Sequence, residues 1–329
     1  MINFRYHVVS LTAVFLSLAV GLVLGSTVLN GPMLDALNNQ LTTLGQANQQ
    51  LREQVSFLEQ EAEREETFAT EAAPLLLDGA LTNRRVAVLV LPGAEGYAAD
   101  LIDTLELTGA EFTGTVTLTE RFVQPAHRLN QLLDQAHNAL PPSVDADELP
   151  ANSDGVETSA ALLAAVLLER PGQEVELPVD PEDASGHPLT GIPADERQAV
   201  LQSYAAADYL EFDEPPSTPA EIVVIVSALP FTDTDAAEKN EALLSTVAQF
   251  DAAGPVVVAA AGPSGTGNVV AEVRNDPELI TSVSTVDNGS TPQGRVATGL
   301  VLAHHLAENV GHYGDGSGAE ALLPPAPTP

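Results

Sequence analysis

The sequence contains no cysteine and no tryptophan, a single lysine, and few aromatic residues of any kind. The absence of cysteine excludes disulfide bonds, thiolate metal sites and cysteine nucleophiles. Aromatic residues make up only 4% of the 329 residues, whereas apolar residues make up 44%. A folded core therefore has to be built mainly from Ala, Val and Leu, a composition that suits helices and buried parallel strands.

Basic residues are also scarce. Twelve Lys and Arg residues stand against 46 Asp and Glu residues, which gives a formal net charge of −34. Such a charge repels phosphate backbones and excludes nucleic acid as a partner class. Two explanations stay open: solubility in a salty setting or an alanine-rich, lysine-poor genome, and a diffuse surface that attracts cations. The second effect is weak at physiological salt, where the Debye length is about 8 Å.

An uncharged apolar segment lies close to the N-terminus. Residues 8–29 read VVSLTAVFLSLAVGLVLGSTVL, and as a helix they span about 33 Å, enough for a ~30 Å hydrocarbon core. Arg5 precedes the segment and Asp35 is the first charge after it, so residues 1–7 are predicted to be cytoplasmic and the rest of the chain extracytoplasmic. A cleaved signal peptide is the alternative, but its apolar region would be shorter and a small-x-small site would follow. We therefore predict a retained single-pass anchor.

Small residues recur at every fourth position of this segment, at Ala13, Ser17, Gly21 and Gly25. A stripe of this kind allows two membrane helices to approach closely. The alternative is that glycine is simply frequent in membrane helices.

A heptad repeat follows and defines a predicted coiled-coil stalk over residues 30–73. With Leu34 at position a and Leu37 at position d, the repeat continues for more than four heptads. Asn48 falls at an a position, where a buried asparagine favours a parallel, in-register dimer. An amphipathic helix folded back on the following domain is the alternative, and Pro74 is expected to end the helix. The predicted dimer interface comprises Gly21, Gly25, Leu37, Leu41, Leu44, Asn48, Leu51, Val55 and Leu58.

Apolar strand-like runs then alternate with helical patterns over residues 80–313. This alternation predicts an α/β fold with a mostly parallel, Rossmann-like sheet and helices on both faces. The acidic, proline-rich stretch 141–220 is predicted to be a helical insertion beside the sheet, and residues 314–329 a disordered tail. The strand-like runs are 86–93, 112–118, 221–228, 255–262 and 280–286, and helices are expected near 95–109, 158–170, 193–207, 233–253, 267–275 and 293–310.

Few residues suggest chemistry. The glycine-rich turn 262–267 could cradle a phosphate, but it lacks both the dinucleotide-binding glycine order and the P-loop lysine, so a plain strand-to-helix turn is preferred. Ser264 does not sit in a nucleophile elbow, and no catalytic residue is assigned. His305 and His312 are seven residues apart, would share a helical face if the helix persists, and are the candidate metal ligands. A soft-metal site prefers Cys or clustered Met and His, which this composition does not supply.

The opening MINFRYHVVSLTAVFLSLAVGLVLGSTVL, the leucine-repeat stalk and the late segments AAAGPSG, STVDN and GRVATGLVLA…GHYG resemble the actinobacterial copper-transport protein family MctB. The resemblance implies copper homeostasis or export at the cell envelope, and the family name implies the outer membrane. Members have also been linked, as SteB, to cell separation, with a cytoplasmic membrane partner and control of peptidoglycan hydrolysis. The family offers no copper-ligand motif that could be carried over to this sequence.

Three functions from different classes are thus considered: a scaffold, a copper-handling factor and an enzyme on the α/β domain. A long apolar helix belongs in an inner membrane, because outer-membrane proteins usually span as closed barrels. One uncharged span per chain also forms no obvious pore. The residues therefore favour a non-enzymatic, parallel homodimer without a resident cofactor, which contacts membrane lipid and serves as a scaffold.

Overall fold

A computed structural model of the protein describes residues 4–128, 130–151, 154–170, 190–216, 218–262 and 265–326. The chain divides into two compact units, Met1–Glu65 and Glu66–Pro329.

Ten α-helices, seven strands and two short 3-10 turns (Ala146–Glu148 and Leu279–Thr281) make up the described chain. In order they are α1 Phe4–Leu77, β1 Arg85–Val90, α2 Glu95–Glu106, β2 Glu111–Leu118, α3 Glu120–Val123, α4 Pro125–Arg128, α5 Gln131–Ala139, α6 Gly155–Leu167, α7 Ala194–Ala206, β3 Leu210–Glu211, β4 Ile222–Ser227, α8 Ala236–Ala253, β5 Val256–Ala260, α9 Val269–Asn275, β6 Ser284–Val286, α10 Pro292–Leu306 and β7 His312–Tyr313.

The first unit consists of helix α1 in its described residues. Among the described residues, one segment, Phe4–Gly25, is long and apolar enough to cross a membrane, with a mean hydropathy of 2.4. It begins four residues before the predicted segment, whose side chains beyond Gly25 lie outside the described residues. The hydroxyls of Thr12 and Ser17 donate to the carbonyls of Val8 and Ala13, each at 2.5 Å. These bonds satisfy the polar groups within the helix itself, as an apolar environment requires.

The heptad positions of the stalk carry exposed apolar side chains. At the d positions, Leu37, Leu44, Leu51 and Leu58 are 52%, 65%, 59% and 63% exposed. Leu41 and Val55, at a positions, are also exposed. The side chain of Leu34 lies outside the described residues.

The second unit is built on a seven-stranded sheet with the order β3-β2-β1-β4-β5-β6-β7. Every neighbouring pair is parallel except β2 with β3, which is antiparallel. The central strands β1 and β4 are buried at every position, because helices cover both faces of the sheet. The predicted α/β fold with a mostly parallel sheet is confirmed.

Alternate residues of β1 point to two separate cores. Val86, Val88 and Val90 pack with residues of α2 and α10. Ala87 and Leu89 pack on the other face, in a larger core to which helices α5 to α9 contribute.

Helix α6 belongs to that second layer. Ten of its residues are buried, and it packs on α5 and α8, so this helix of the predicted insertion belongs to the core on that face of the sheet. The Asp154 side chain caps the helix by accepting from the N–H of Val156 at 2.9 Å. The part of the predicted insertion over residues 171–189 lies outside the described residues.

Two local expectations differ from the structure. Helix α1 does not end at Pro74 but runs to Leu77, although a proline there removes one helical hydrogen bond. Ala73 and Leu77 are 4% and 0% exposed and pack against Val296 of α10, and this burial outweighs the local cost. The expected strand 280–286 is a 3-10 turn followed by the shorter strand β6.

Candidate functional site at the β6–β7 edge of the sheet

His305 and His312 do not share a helical face, because α10 ends at Leu306 and His312 begins strand β7. His305 Nδ1 lies 2.8 Å from the hydroxyl of Ser284, and His312 Nδ1 lies 2.9 Å from the hydroxyl of Thr285. Ser284 and Thr285 are consecutive residues of β6, so their side chains leave opposite faces of the sheet. Strand β6 therefore separates the two imidazoles, and the pair does not converge on one metal ion.

The hydrogen bonds of His312 fix its tautomer. Its Nε2 lies 3.1 Å from the carbonyl of Ile280 and must donate there, since a carbonyl oxygen only accepts. Nδ1 is then the acceptor for the hydroxyl of Thr285, which in turn accepts from Nε of Arg274 at 2.9 Å. Both ring nitrogens of His312 are thus engaged within the protein.

Burial keeps both histidines neutral. Desolvation, followed by the nearby charge of His304, lowers the pKa of His305 to about 4. Desolvation is also the main cause that lowers the pKa of His312. Among the described residues, no group of three or more His, Cys, Asp or Glu side chains is placed to hold a metal ion.

The dominant feature of this edge is a buried ion pair between Arg274 and Asp287. Nη1 of the Arg274 guanidinium lies 2.7 Å from Asp287 Oδ2, and the two side chains are 4% and 0% exposed. Arg274 also donates to the carbonyls of Tyr313 and Ser317, at 2.9 and 3.0 Å. Because the charges are matched and hydrogen-bonded in several directions, the pair is compatible with burial.

Asp287 in turn holds the chain that follows β7. Its carboxylate accepts from the N–H groups of Asp315 and Gly316, at 3.0 and 3.1 Å. Gly314 has φ +128°, and a Cβ there would collide with the carboxylate of Asp287, so this position requires glycine. We refer to Arg274, Asp287 and residues 314–317 as the C-terminal clamp.

Residues 314–321 are held by the clamp and by β7, which corrects this part of the disordered tail predicted over residues 314–329. Besides the clamp contacts, Tyr313 forms a bridge with Ala321, and the N–H of Glu320 donates to the carbonyl of His312 at 2.7 Å. The segment therefore continues the edge of the sheet. Composition suggested disorder because glycine and proline dominate it, and the backbone partners that order it are distant in sequence.

Sequence reasoning missed Arg274 and Asp287. The available signal was an aspartate placed directly after the short strand STV, together with an arginine in the last turn of the preceding helix. The segments STVDN and GHYG, which carry the family resemblance, meet in this part of the structure through the pairing of β6 with β7.

Doubly wound folds usually bind ligands at the carboxyl edge of the sheet, at the point where the strand order reverses. In this sheet the order reverses between β1 and β4. The loops after β1, β4 and β5 pack on one another at this edge. A Cβ on Gly93 would be 3.5 Å from the Cβ of Ala228, and one on Gly262 would be 2.6 Å from Leu229 Cδ2. Side chains of the protein thus fill part of the expected crevice.

In the glycine-rich turn 262–267 at this edge, one backbone N–H group already has a partner within the protein. Pro263 and Ser264 lie outside the described residues. The N–H of Gly267 donates to Glu272 Oε1 at 3.0 Å, so a carboxylate of the protein takes the place where a phosphate oxygen would bind. This contact fits the preferred interpretation of a plain strand-to-helix turn.

The single lysine, Lys239, is also held in place nearby. Its Nζ lies 2.7 Å from Glu120 Oε1 and 2.6 Å from Asp233 Oδ2, and 4.9 Å from the centroid of the Phe231 ring. Hydrogen bonds to Asp233 and then to Glu120 raise the pKa of Lys239. The amine is therefore charged and structural.

Comparison with known proteins decides the family. The sequence model of the family described as "Copper transport outer membrane protein, MctB" matches residues 1–324. This chain belongs to the MctB family. A protein named Copper transporter MctB from Mycobacterium tuberculosis (strain ATCC 25618 / H37Rv) is 28% identical over 335 residues, covering 98% of this chain and 99% of its own. One of the same name from Mycobacterium leprae (strain TN) is 28% identical over 334 residues, covering 99% and 100%.

We expect Asp287→Asn to destabilise the second unit by roughly 3–5 kcal/mol, because the buried Arg274 would lose its counter-charge. The matched control is Asp100→Asn, whose carboxylate is 63% exposed and pairs with Arg295 at 3.3 Å, and which should cost less than about 1 kcal/mol. The two free energies of unfolding are compared by denaturant titration of the full chain in detergent. Equal effects of the two substitutions would contradict a structural role for the clamp.

The neutral state of His305 predicts a pH dependence. Its folded pKa of about 4 lies below the value of ~6.5 for an unfolded chain, so the unfolded state binds the proton first. Above pH ~6.5 neither state binds this proton, and as the pH falls from there toward 4 the proton taken up by the unfolded state lowers the free energy of unfolding. His305→Gln should flatten the fall in unfolding midpoint between pH 7 and 4.5, whereas His137→Gln, at an exposed histidine, should leave it unchanged. Parallel curves for all three proteins would refute this assignment.

Proposed function

We propose that this MctB-family protein is a non-enzymatic, dimeric, single-pass membrane scaffold that serves copper homeostasis at the cell envelope. The observation that carries the proposal is the row of exposed apolar side chains on helix α1, with d-position leucines that are 52–65% exposed. A helix with such a row in water is stabilised by a partner helix that covers it.

The heptad pattern favours one kind of partner. Leucine at successive d positions and asparagine at the a position of residue 48 favour a parallel pair in register. The stripe of Ala13, Ser17, Gly21 and Gly25 supports close packing of the same two helices in the membrane. Both signals lie on one helix, so one dimer satisfies both.

The second unit supports a binding or scaffolding role over catalysis. At the carboxyl edge, the loops pack on one another and Lys239 is held by two carboxylates. The buried charges of Arg274 and Asp287 pair with each other and bind the backbone after β7. Copper is the cargo of the family, and separation of His305 from His312 by strand β6 argues against these two residues as its shared ligands.

We place the span in the inner membrane, with the N-terminus in the cytoplasm and the second unit outside. The apolar helix Phe4–Gly25 suits a membrane crossed by helices, whereas outer-membrane proteins usually cross as closed barrels. Arg5 precedes the uncharged stretch, and the next charge is Asp35, which is the orientation that the positive-inside rule favours.

Cell separation is the process through which we propose that the scaffold acts, by analogy with members of the family linked to it. On this proposal, the partners are a cytoplasmic membrane protein and a peptidoglycan hydrolase system. The second candidate is a direct copper-binding or copper-export factor, which the family description and the names of the mycobacterial relatives favour. Co-purification with a wall hydrolase supports the scaffold, and tight copper binding supports the second candidate.

The dimer predicts that Leu44→Ala/Leu51→Ala weakens self-association of the full chain in detergent. Each Leu→Ala change in a packed core typically costs ~2–5 kcal/mol, so the dissociation constant should rise by at least about 100-fold. Gln50→Ala/Phe57→Ala, at two exposed c positions of the stalk that are also seven residues apart, is the matched control and should leave it unchanged. Asn48→Leu should instead strengthen association while loosening register or oligomer number. Sedimentation equilibrium gives the masses, and a wild-type chain that sediments as a monomer would overturn the dimer.

Copper titration separates the two candidates. For the scaffold, calorimetry of the full chain with copper ions should show no site tighter than about micromolar, because thiols are absent and the histidines are dispersed. His305→Ala and His312→Ala should then leave the isotherm unchanged. A nanomolar site that either substitution abolishes would favour the direct copper-binding factor.

A further inference from the structure

The last three turns of helix α1, which belong to the second unit, carry two apolar faces. One face is formed by Ala69, Ala73 and Leu77, which are 8%, 4% and 0% exposed. It packs on the domain, with Leu77 close to Gly299 of α10. The other face is uncovered: Phe68 is 73% exposed, Leu75 86% and Leu76 48%.

The uncovered face is a continuous stripe. At about 100° per residue, Phe68, Ala72, Leu75 and Leu76 fall within an arc of roughly 100°, and Ala72 is half-buried between them. The centre of this arc lies roughly a third of a turn from the centre of the buried face. The helix can therefore pack on its own domain with one face and on a second helix with the other.

We infer that a second copy of the chain covers the stripe of Phe68, Ala72, Leu75 and Leu76. The inference rests on the proposed dimer, and the argument is register. Counted from Leu34 at a and Leu37 at d, Ala72 falls at d, Leu76 at a, and Phe68 and Leu75 at g. Ala69, also at a, is covered by the domain, so the stripe lies on the g side of the seam. A parallel partner helix in the same register meets these positions, and twofold symmetry places each stripe against its own copy.

An acidic segment separates this contact from the stalk that precedes it in the sequence. Glu61, Glu65 and Glu66 occupy g, d and e positions, so a parallel pair would bring like charges together there. The stripe itself is uncharged, and apolar contact resumes at Phe68. We therefore expect two dimer contacts, one along Leu37–Leu58 and one along Phe68–Leu76, with an acidic interruption between them.

The same charges argue against a lipid surface as the occupant. From Glu59 to Glu71 the helix carries six glutamates and one arginine. An anionic membrane surface repels such a segment, since attraction to these lipids depends on Lys and Arg. A copy of the chain offers an apolar stripe of matching length without requiring a positive charge.

The absence of cysteine makes single-cysteine cross-linking a direct test. Full-length chains that carry Asn48→Cys, Ala72→Cys or Thr67→Cys are treated in native membranes with a short bismaleimide. Asn48 reports the stalk contact and Ala72 the inferred contact. Thr67 is exposed and falls at an f position, away from the seam, so it controls for random collision. We expect strong cross-links at positions 48 and 72 and at least a fivefold weaker cross-link at position 67.

The outcomes distinguish this inference from the dimer on which it rests. Cross-linking at 48 but not at 72, or equal yields at 72 and 67, overturns the second contact and leaves the stalk dimer standing. Loss of cross-linking at both 48 and 72 overturns the dimer as well.

Leu75→Ser/Leu76→Ser in the Ala72→Cys chain should reduce its cross-link several-fold, while the same pair in the Asn48→Cys chain should change its yield less than twofold. An unchanged yield at 72 in that variant also contradicts the inference.

Discussion

The uncovered apolar surface of helix α1 is the constraint on which this account of the protein depends. Its first unit is a helix whose residues Phe4–Gly25 are apolar and unburied, and whose stalk leucines are more than half exposed. Burial of such side chains is worth about 1.5–3 kcal/mol each, so the proposed membrane and partner helix would stabilise the chain in ways that its own described residues do not. The proposed membrane anchor and the proposed self-association thus both follow from exposed apolar side chains on this one helix.

The second unit meets a different constraint, which is to fold with a net charge of −34 on the chain and few aromatic residues. Its core is a parallel sheet of valine, isoleucine and alanine, buried on both faces. Several of the few basic residues are used internally. Arg274 pairs with Asp287, and Arg85 pairs with Glu169 and Glu221. Among the described residues, Asp287 is the one acidic residue that is buried, and the ion pairs tie together segments that are distant in sequence.

The helices and strands that depend on their own local sequence were predicted correctly in type and order. The strand-like runs and the helices between them follow from continuous apolar stretches and helical periodicity, so the α/β sheet was accessible from the sequence. The continuation of α1 past Pro74 was not, because it depends on burial of Leu77 against Val296. The order of residues 314–321 likewise depends on Asp287, which lies in another part of the sequence.

The candidate site shows the same division. Sequence spacing would put His305 and His312 on one helical face if the helix persisted, but α10 ends at Leu306 and the two imidazoles lie on opposite sides of β6. Arg274 and Asp287 were missed because a single acid or base in an acidic chain gives no local sign of its partner. Assignment to the MctB family rests on the match over residues 1–324, which no single motif could have provided.

The most direct test of the central claim is the distance between two spin labels in the full chain, placed by Ser56→Cys in the middle of the stalk. Electron–electron double resonance in lipid bilayers measures the separation of the same residue in two copies. A parallel, in-register pair of helices predicts one narrow distance distribution, on the order of 20–30 Å for helices about 10 Å apart with labels on their outer faces. Two results would contradict the account: no dipolar interaction between labels when the protein is as concentrated in the bilayer as in native membranes, or a broad distribution without a preferred distance.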